Sequence, residues 1–118
     1  MRHAPRAQHA PPNAIAAAVR RARKRFPNLL VEVEADTLEQ VEQAASAGAD
    51  IILLDNMTPP QLRQAVAIVG AKAKTEASGG VTLDSIRAIA ETGVDFISVG
   101  RLTQSAAAVD IGLDWTAE

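Results

Sequence analysis

The chain has 118 residues, 47% of them apolar and 22% charged, with a formal net charge of −2. That length allows one domain, and that balance supports a globular core rather than disorder. The absence of cysteine, the shortness of every apolar run and an aromatic content of 3% exclude disulfides, thiolate metal sites, a membrane-spanning helix and base stacking on nucleic acid.

The first twelve residues carry Pro5, Pro11 and Pro12 and no periodicity, so they read as an irregular arm preceding a unit over 13–118. The arm lacks the apolar centre of a signal peptide, and a cytoplasmic location is expected. His3 and His9 fall in it without any metal-ligand spacing to other residues, so no zinc site is expected. Asn13 can cap a helix in which Ile15, Val19, Ala22 and Phe26 recur at helical spacing, ended by Pro27. Arg20, Arg21, Arg23, Lys24 and Arg25 fall mostly on the other face, a solvated surface or a phosphate patch. Residues 30–35 alternate as a strand. Thr37 to Gln40 form a capping box for a helix buried through Leu38, Val41 and Ala45 and closed by Gly48. Residues 51–54 form a continuous apolar strand buried on both sides. Thr58-Pro59-Pro60-Gln61 starts a helix with proline in its first turn and Leu62, Ala65, Val66 and Val69 inward. A strand over 73–77 follows, flanked by Lys72 and Lys74. Thr82 then caps a helix carrying Leu83, Ile86, Ile89 and Ala90, a strand runs over 96–99, and Ile111, Leu113 and Trp115 alternate as a last short strand.

One segment repeats. Ala47-Gly48-Ala49-Asp50-Ile51-Ile52 is similar to Thr92-Gly93-Val94-Asp95-Phe96-Ile97, 45 positions later. That is two βα units, and short turns between such units imply parallel strands joined by right-handed crossovers. The predicted class is α/β, a partial (β/α) TIM-like barrel with parallel strands and alternating helices; a small doubly wound sheet is the alternative.

In such a barrel the active site lies at the C-terminal ends of the strands. Four successive strands place a functional feature there: Glu34, Asp55, Ser78-Gly79-Gly80 and Gly100. Glu34 follows Glu32 by two residues, so both lie on one face, either solvent or barrel interior. A carboxylate in the interior is costly unless it binds something. Asp55 stands where a buried strand emerges, as a ligand group or as an Asx turn toward Thr58. The paired glycines let the backbone approach an anion and point N–H groups at it, with a following helix adding its dipole. Two carboxylates and two phosphate turns suit a Mg²⁺-phosphate or a polyol substrate.

These motifs resemble a family. Val31-Glu32-Val33-Glu34, Asp50-Ile51-Ile52-Leu53-Leu54-Asp55-Asn56-Met57, Glu76-Ala77-Ser78-Gly79-Gly80, Val94-Asp95-Phe96-Ile97-Ser98-Val99-Gly100 through Leu102-Thr103-Gln104-Ser105, and Val109-Asp110-Ile111-Gly112-Leu113 are similar, in order and spacing, to the C-terminal half of quinolinate phosphoribosyltransferase. The resemblance implies conversion of quinolinate and phosphoribosyl pyrophosphate to nicotinate mononucleotide, pyrophosphate and carbon dioxide, with Mg²⁺, in NAD biosynthesis. It implies that Glu34 and Asp55 hold the ribose hydroxyls and the metal, and that Ser78, Gly79, Gly80 and Gly100 hold the 5′-phosphate. Gln104 stands where the family often has a histidine on phosphate.

The chain also departs from the family. Arg6-Ala7-Gln8-His9 stands near the position of a family Lys-Asp-Asn-His segment, with no counterpart to the catalytic lysine. The N-terminal domain and first barrel strands have no match. A fragment is therefore expected, with negligible activity alone, completed by a missing N-terminal half or by homo-oligomerisation. A cut edge strand is expected at residues 30–35. A non-catalytic phosphate- or nucleotide-binding module and another barrel enzyme acting on a phosphorylated substrate are the alternatives. Neither a nucleic acid nor a membrane is an expected partner.

Overall fold

The structure, a computed structural model, describes residues 14–99 and 108–111. Its elements are α1 (Ala14–Arg25), β1 (Leu30–Ala35), α2 (Leu38–Ala47), β2 (Ile51–Asp55), α3 (Pro59–Val69), β3 (Lys74–Ser78), α4 (Ile86–Ala90), β4 (Phe96–Ile97) and β5 (Ala108–Ile111). The strands form one parallel sheet in the order β4-β3-β2-β1-β5. The expected alternation of parallel strands and helices is therefore present.

Strand alternation decides what each face does. Val31, Val33 and Ala35 of β1, Ile52 and Leu54 of β2, and Ala77 of β3 join the helices in one buried apolar cluster. Ile15, Val19 and Ala22 of α1, Val41, Ala44 and Ala45 of α2, and Leu62, Ala65 and Val69 of α3 supply its other half. The intervening strand residues turn to the opposite face. Register aligns Glu34 with Leu53, Leu53 with Glu76, and Glu76 with Phe96, so these four form one row across that face.

Local signals set the helix ends as expected. Thr37 accepts from the Gln40 N–H, and the Gln40 side chain reaches back to the Asp36 N–H at 2.9 Å. Thr58 and Gln61 close a full capping box around Pro59 and Pro60. Each such cap contributes about 1 kcal/mol.

Four expectations are corrected. β1 is not a cut edge: β5 pairs with it in register from Leu30↔Ala108 to Val33↔Ile111, so its outer backbone groups find a ladder and the sheet ends at β4 and β5. That last strand is described over Ala108–Ile111; Leu113 and Trp115, expected to continue it, lie outside the described residues, as do the arm at 1–12 and Asn13. α4 begins at Ile86, one turn beyond Thr82; Thr82 and Ser85 bond each other's backbone N–H (2.9 and 3.2 Å) and the Ile86 N–H reaches the Thr82 carbonyl, a turn that leads into the helix; Leu83 sits on that turn 90% exposed, and Ala90 is exposed too. β4 is two residues long rather than four. Phe26 falls just beyond α1 and is 40% exposed, with the Arg25 guanidinium 5.6 Å from its ring centroid. Of the basic run, Arg23 pairs with Asp50 at 3.1 Å, and Arg23, Lys24 and Arg25 occupy the last turn of α1, where cations favour the helix dipole.

The repeated segment has a mechanical meaning. Asp50, just before β2, accepts from the Val31 N–H at 2.7 Å, and its own N–H donates to the Val31 carbonyl at 2.9 Å. Asp95, just before β4, does the same to Thr75: its carboxylate accepts from the Thr75 N–H at 2.8 Å, and its N–H donates to the Thr75 carbonyl at 3.0 Å. Each aspartate thus clamps the start of the adjoining strand and fixes the register that the far strand ends inherit.

Replacing Asp95 by alanine removes a charged acceptor from the buried Thr75 and is expected to lower stability by about 1–2 kcal/mol in urea unfolding. Asp50 adds a pH dependence. Burial raises its carboxyl, but hydrogen bonds from Arg23 and Val31 and the Arg23 charge outweigh burial and hold it below its ordinary 3.8. A depressed folded value gives stability that is present above about pH 4 and lost as pH falls through it. Acid titration of stability is expected to be shallower in Asp50→Asn below about pH 4.

Candidate functional site

The site lies where β2 and β3 end together. Asp55 is the last residue of β2 and Ser78 the last of β3, and the two are register partners. The Ser78 hydroxyl donates to Asp55 Oδ1 at 3.4 Å, and Ser78 is 3% exposed. Immediately beyond, Gly79 and Gly80 both adopt positive φ, 87° and 65°, a backbone that side chains disfavour. Space is equally restrictive at Gly79: an added Cβ would lie 2.9 Å from Asp55 Oδ1 and 3.0 Å from the Asn56 nitrogen. Glycine at this position thus lets the carboxylate lie close to the turn.

Glu34 lies on the same sheet face. It is 8% exposed, and its partner Leu53 stands two residues before Asp55 on the adjacent strand. Strand rise and spacing put the two Cα atoms about 8 Å apart, so both carboxylates can address one small polyol or one hydrated cation. The expected site residues Glu34, Asp55, Ser78, Gly79 and Gly80 are therefore brought together. Gly100 and Gln104 lie outside the described residues.

One physical contribution is corrected. Because α4 starts at Ile86 and is five residues long, its dipole does not reach Gly80, so the turn's own N–H groups are what it offers to an anion. Among the described residues no backbone–backbone hydrogen bond uses the Gly79 or Gly80 N–H. Lys74 stands at the opposite end of β3 from Ser78, about 13 Å away at strand rise, and Lys72 precedes it. Neither belongs to this rim.

Two residues escaped the sequence reading. Glu76 lies two positions before Ser78, half-buried, in the row with Glu34; the two-residue spacing that selected Glu34 would have found it. Asn56, next to Asp55, has φ of 59°, for which the sequence carries only the weak signal that asparagine tolerates left-handed backbone. No group of three or more acidic, histidine or cysteine residues suited to a metal occurs among the described residues. A Mg²⁺ ion requires less: it keeps several waters and is held by one or two carboxylates together with substrate oxygens, which the Glu34–Asp55 pair fits.

Fold and site thus define an α/β protein whose parallel strand ends present carboxylates against a glycine turn. The family model described as quinolinate phosphoribosyl transferase, C-terminal domain, matches residues 7–114, and the chain belongs to that family. It is 48% identical over 86 residues to a probable carboxylating nicotinate-nucleotide pyrophosphorylase of Bacillus subtilis, covering 73% of this chain and 30% of that protein. With the Rattus norvegicus nicotinate-nucleotide pyrophosphorylase the identity is 48% over 96 residues, covering 79% and 32%. The solved nicotinate-nucleotide pyrophosphorylase of Francisella tularensis superposes with a TM-score of 0.71 at 47% identity, covering 77% of this chain and 33% of that one. The chain spans about a third of the length of these relatives.

Gly79→Ala is expected to cost stability, through positive φ and the contact with Asp55, by about 1–3 kcal/mol in chemical unfolding. Alanine at the exposed position 63, in place of Arg63, is expected to stay within about 0.5 kcal/mol of wild type in the same measurement.

Proposed function

We propose that this chain carries the phosphoribosyl half of a quinolinate phosphoribosyltransferase site, as a (β/α) barrel segment. The complete reaction would join quinolinate to phosphoribosyl pyrophosphate and release nicotinate mononucleotide, pyrophosphate and carbon dioxide in the cytoplasm. The observation that carries the proposal is that the Asp55 carboxylate lies so close to Gly79 that a Cβ there would be 2.9 Å from Oδ1, beside a turn whose two glycines both have positive φ. A ribose phosphate has hydroxyls and a phosphate a few bonds apart, and this rim sets carboxylate acceptors beside the backbone N–H groups of a glycine turn.

In this reading Asp55 and Glu34 accept hydrogen bonds from the ribose hydroxyls. The Ser78 hydroxyl, bonded to Asp55, keeps that carboxylate oriented toward the sugar. The Gly79 and Gly80 amides, with Gly100 and Gln104, receive the 5′-phosphate. Departure of pyrophosphate develops positive charge at the ribosyl centre, and the two carboxylates favour it electrostatically. Mg²⁺, when bound, neutralises the leaving pyrophosphate, and Glu34 and Asp55 are the residues that would hold it.

The second reading is a phosphate- or nucleotide-binding module without chemistry. It is favoured by Arg6-Ala7-Gln8-His9, where a family lysine would be expected. A separate N-terminal half, or further copies of the chain, would complete the site under the first reading.

Calorimetric titration with phosphoribosyl pyrophosphate and Mg²⁺ is expected to give saturable, Mg²⁺-dependent binding. Asp55→Ala should weaken it at least tenfold, the scale of one lost charged contact, with the fold retained. Unchanged affinity in that variant would remove Asp55 from the site. Quinolinate turnover that appears only when an N-terminal half from a relative is added would favour the split enzyme over the binding module.

A further inference from the structure

We propose that Asn56 is a positioning residue of this site: its left-handed backbone carries the chain across the Gly79-Gly80 turn and fixes the amides offered to the phosphate. This rests on the phosphoribosyl reading above. Asn56 is the one non-glycine residue with positive φ among the described residues. L-residues other than asparagine and aspartate avoid that region because Cβ crowds the following carbonyl. Asn56 also makes the last β2–β3 bond: its N–H donates to the Ser78 carbonyl at 2.9 Å, one step beyond the Asp55↔Ser78 pair.

From there the chain leaves the strand and within two residues reaches Thr58, the cap of α3. Its path lies directly against the glycines. The Asn56 nitrogen and Cα would be 3.0 and 3.3 Å from a Cβ on Gly79, and Asn56 Oδ1 would be 3.8 Å from one on Gly80. The wall of the turn is thus Asn56 backbone. A residue that prefers extended or right-handed backbone would swing this wall and displace the turn, without touching the phosphate itself. Neutrality matters as well: an amide beside the turn adds no negative charge next to Asp55, where an anion must bind.

The experiment measures ribose 5-phosphate affinity by calorimetry for the wild-type chain, Asn56→Gly and Asn56→Val. It also records the Gly79 and Gly80 amide signals of each, without ligand, by nitrogen-15 NMR. Glycine accepts left-handed backbone and valine resists it. Asn56→Gly is expected to bind within about threefold of wild type with both amide signals near their original positions. Asn56→Val is expected to lose about tenfold or more, with both signals displaced and helical circular dichroism retained. Should the valine variant fail to fold, Asn56→Ala replaces it. Wild-type affinity and unmoved signals in the valine variant overturn the proposal. So does equal loss in both variants, since the side chain would then act on the ligand directly. If the wild-type chain binds no ribose 5-phosphate, the phosphoribosyl reading fails, and the ligand-free amide signals still decide whether Asn56 sets the turn.

Discussion

The rim depends on a steric fact at Gly79. Its backbone has φ of 87°, and a methyl group there would meet Asp55 Oδ1 at 2.9 Å. Two separate penalties, conformational and steric, thus act against any side chain at one position. The arrangement also links two strands: Asp55 ends β2, Gly79 follows β3, and they meet because those strands end in register at Asp55↔Ser78. An error of one residue in that register would turn Asp55 to the helix side and Leu54 to the site.

That register is held from both ends of the sheet. At the far end the Lys74 N–H donates to the Asp50 carbonyl at 3.0 Å, and Asp50 and Asp95 clamp the flanking pairs, β1–β2 through Val31 and β3–β4 through Thr75. At the near ends, the Asn56 N–H closes on the Ser78 carbonyl. Between them, alternation buries Val33, Ile52 and Leu54 against the helices and leaves Glu34, Asp55, Glu76 and Ser78 for the opposite face. The apolar contacts supply most of the stability, while the polar clamps select which pairing they stabilise. The site is a by-product of that selection: strand ends that must be aligned for the core to pack are also the ends that carry the carboxylates.

Much of this was legible in the sequence because its signals are local. Thr58-Pro59-Pro60-Gln61 specifies a helix start through side-chain caps four residues long, and α3 begins there. Residues 30–35 and 51–54 declare strands through period-two alternation and a continuous apolar run. Glu34, Asp55, Ser78, Gly79 and Gly80 were identifiable because strand ends in a parallel sheet share one rim. Non-local features were harder to read. Nothing near Leu30 announces that 108–111 will pair with β1, because that contact spans most of the chain. Leu83 reads as the first apolar position of a helix, yet it falls in the turn that leads into α4, where it is exposed. The repeat around Asp50 and Asp95 was visible as a pattern, but its clamping role required knowing which strand lies alongside.

Membership of the quinolinate phosphoribosyl transferase family and the geometry of the rim support the proposal that this chain, about a third as long as the relatives it matches, grips a phosphoribosyl group. The most direct test is a crystal structure of the chain with ribose 5-phosphate and Mg²⁺. Phosphate oxygens are expected within about 3 Å of the Gly79 and Gly80 nitrogens, with ribose hydroxyls facing Asp55 and Glu34. A phosphate bound elsewhere on the folded chain, with those two amides turned away from it, would rule this grip out.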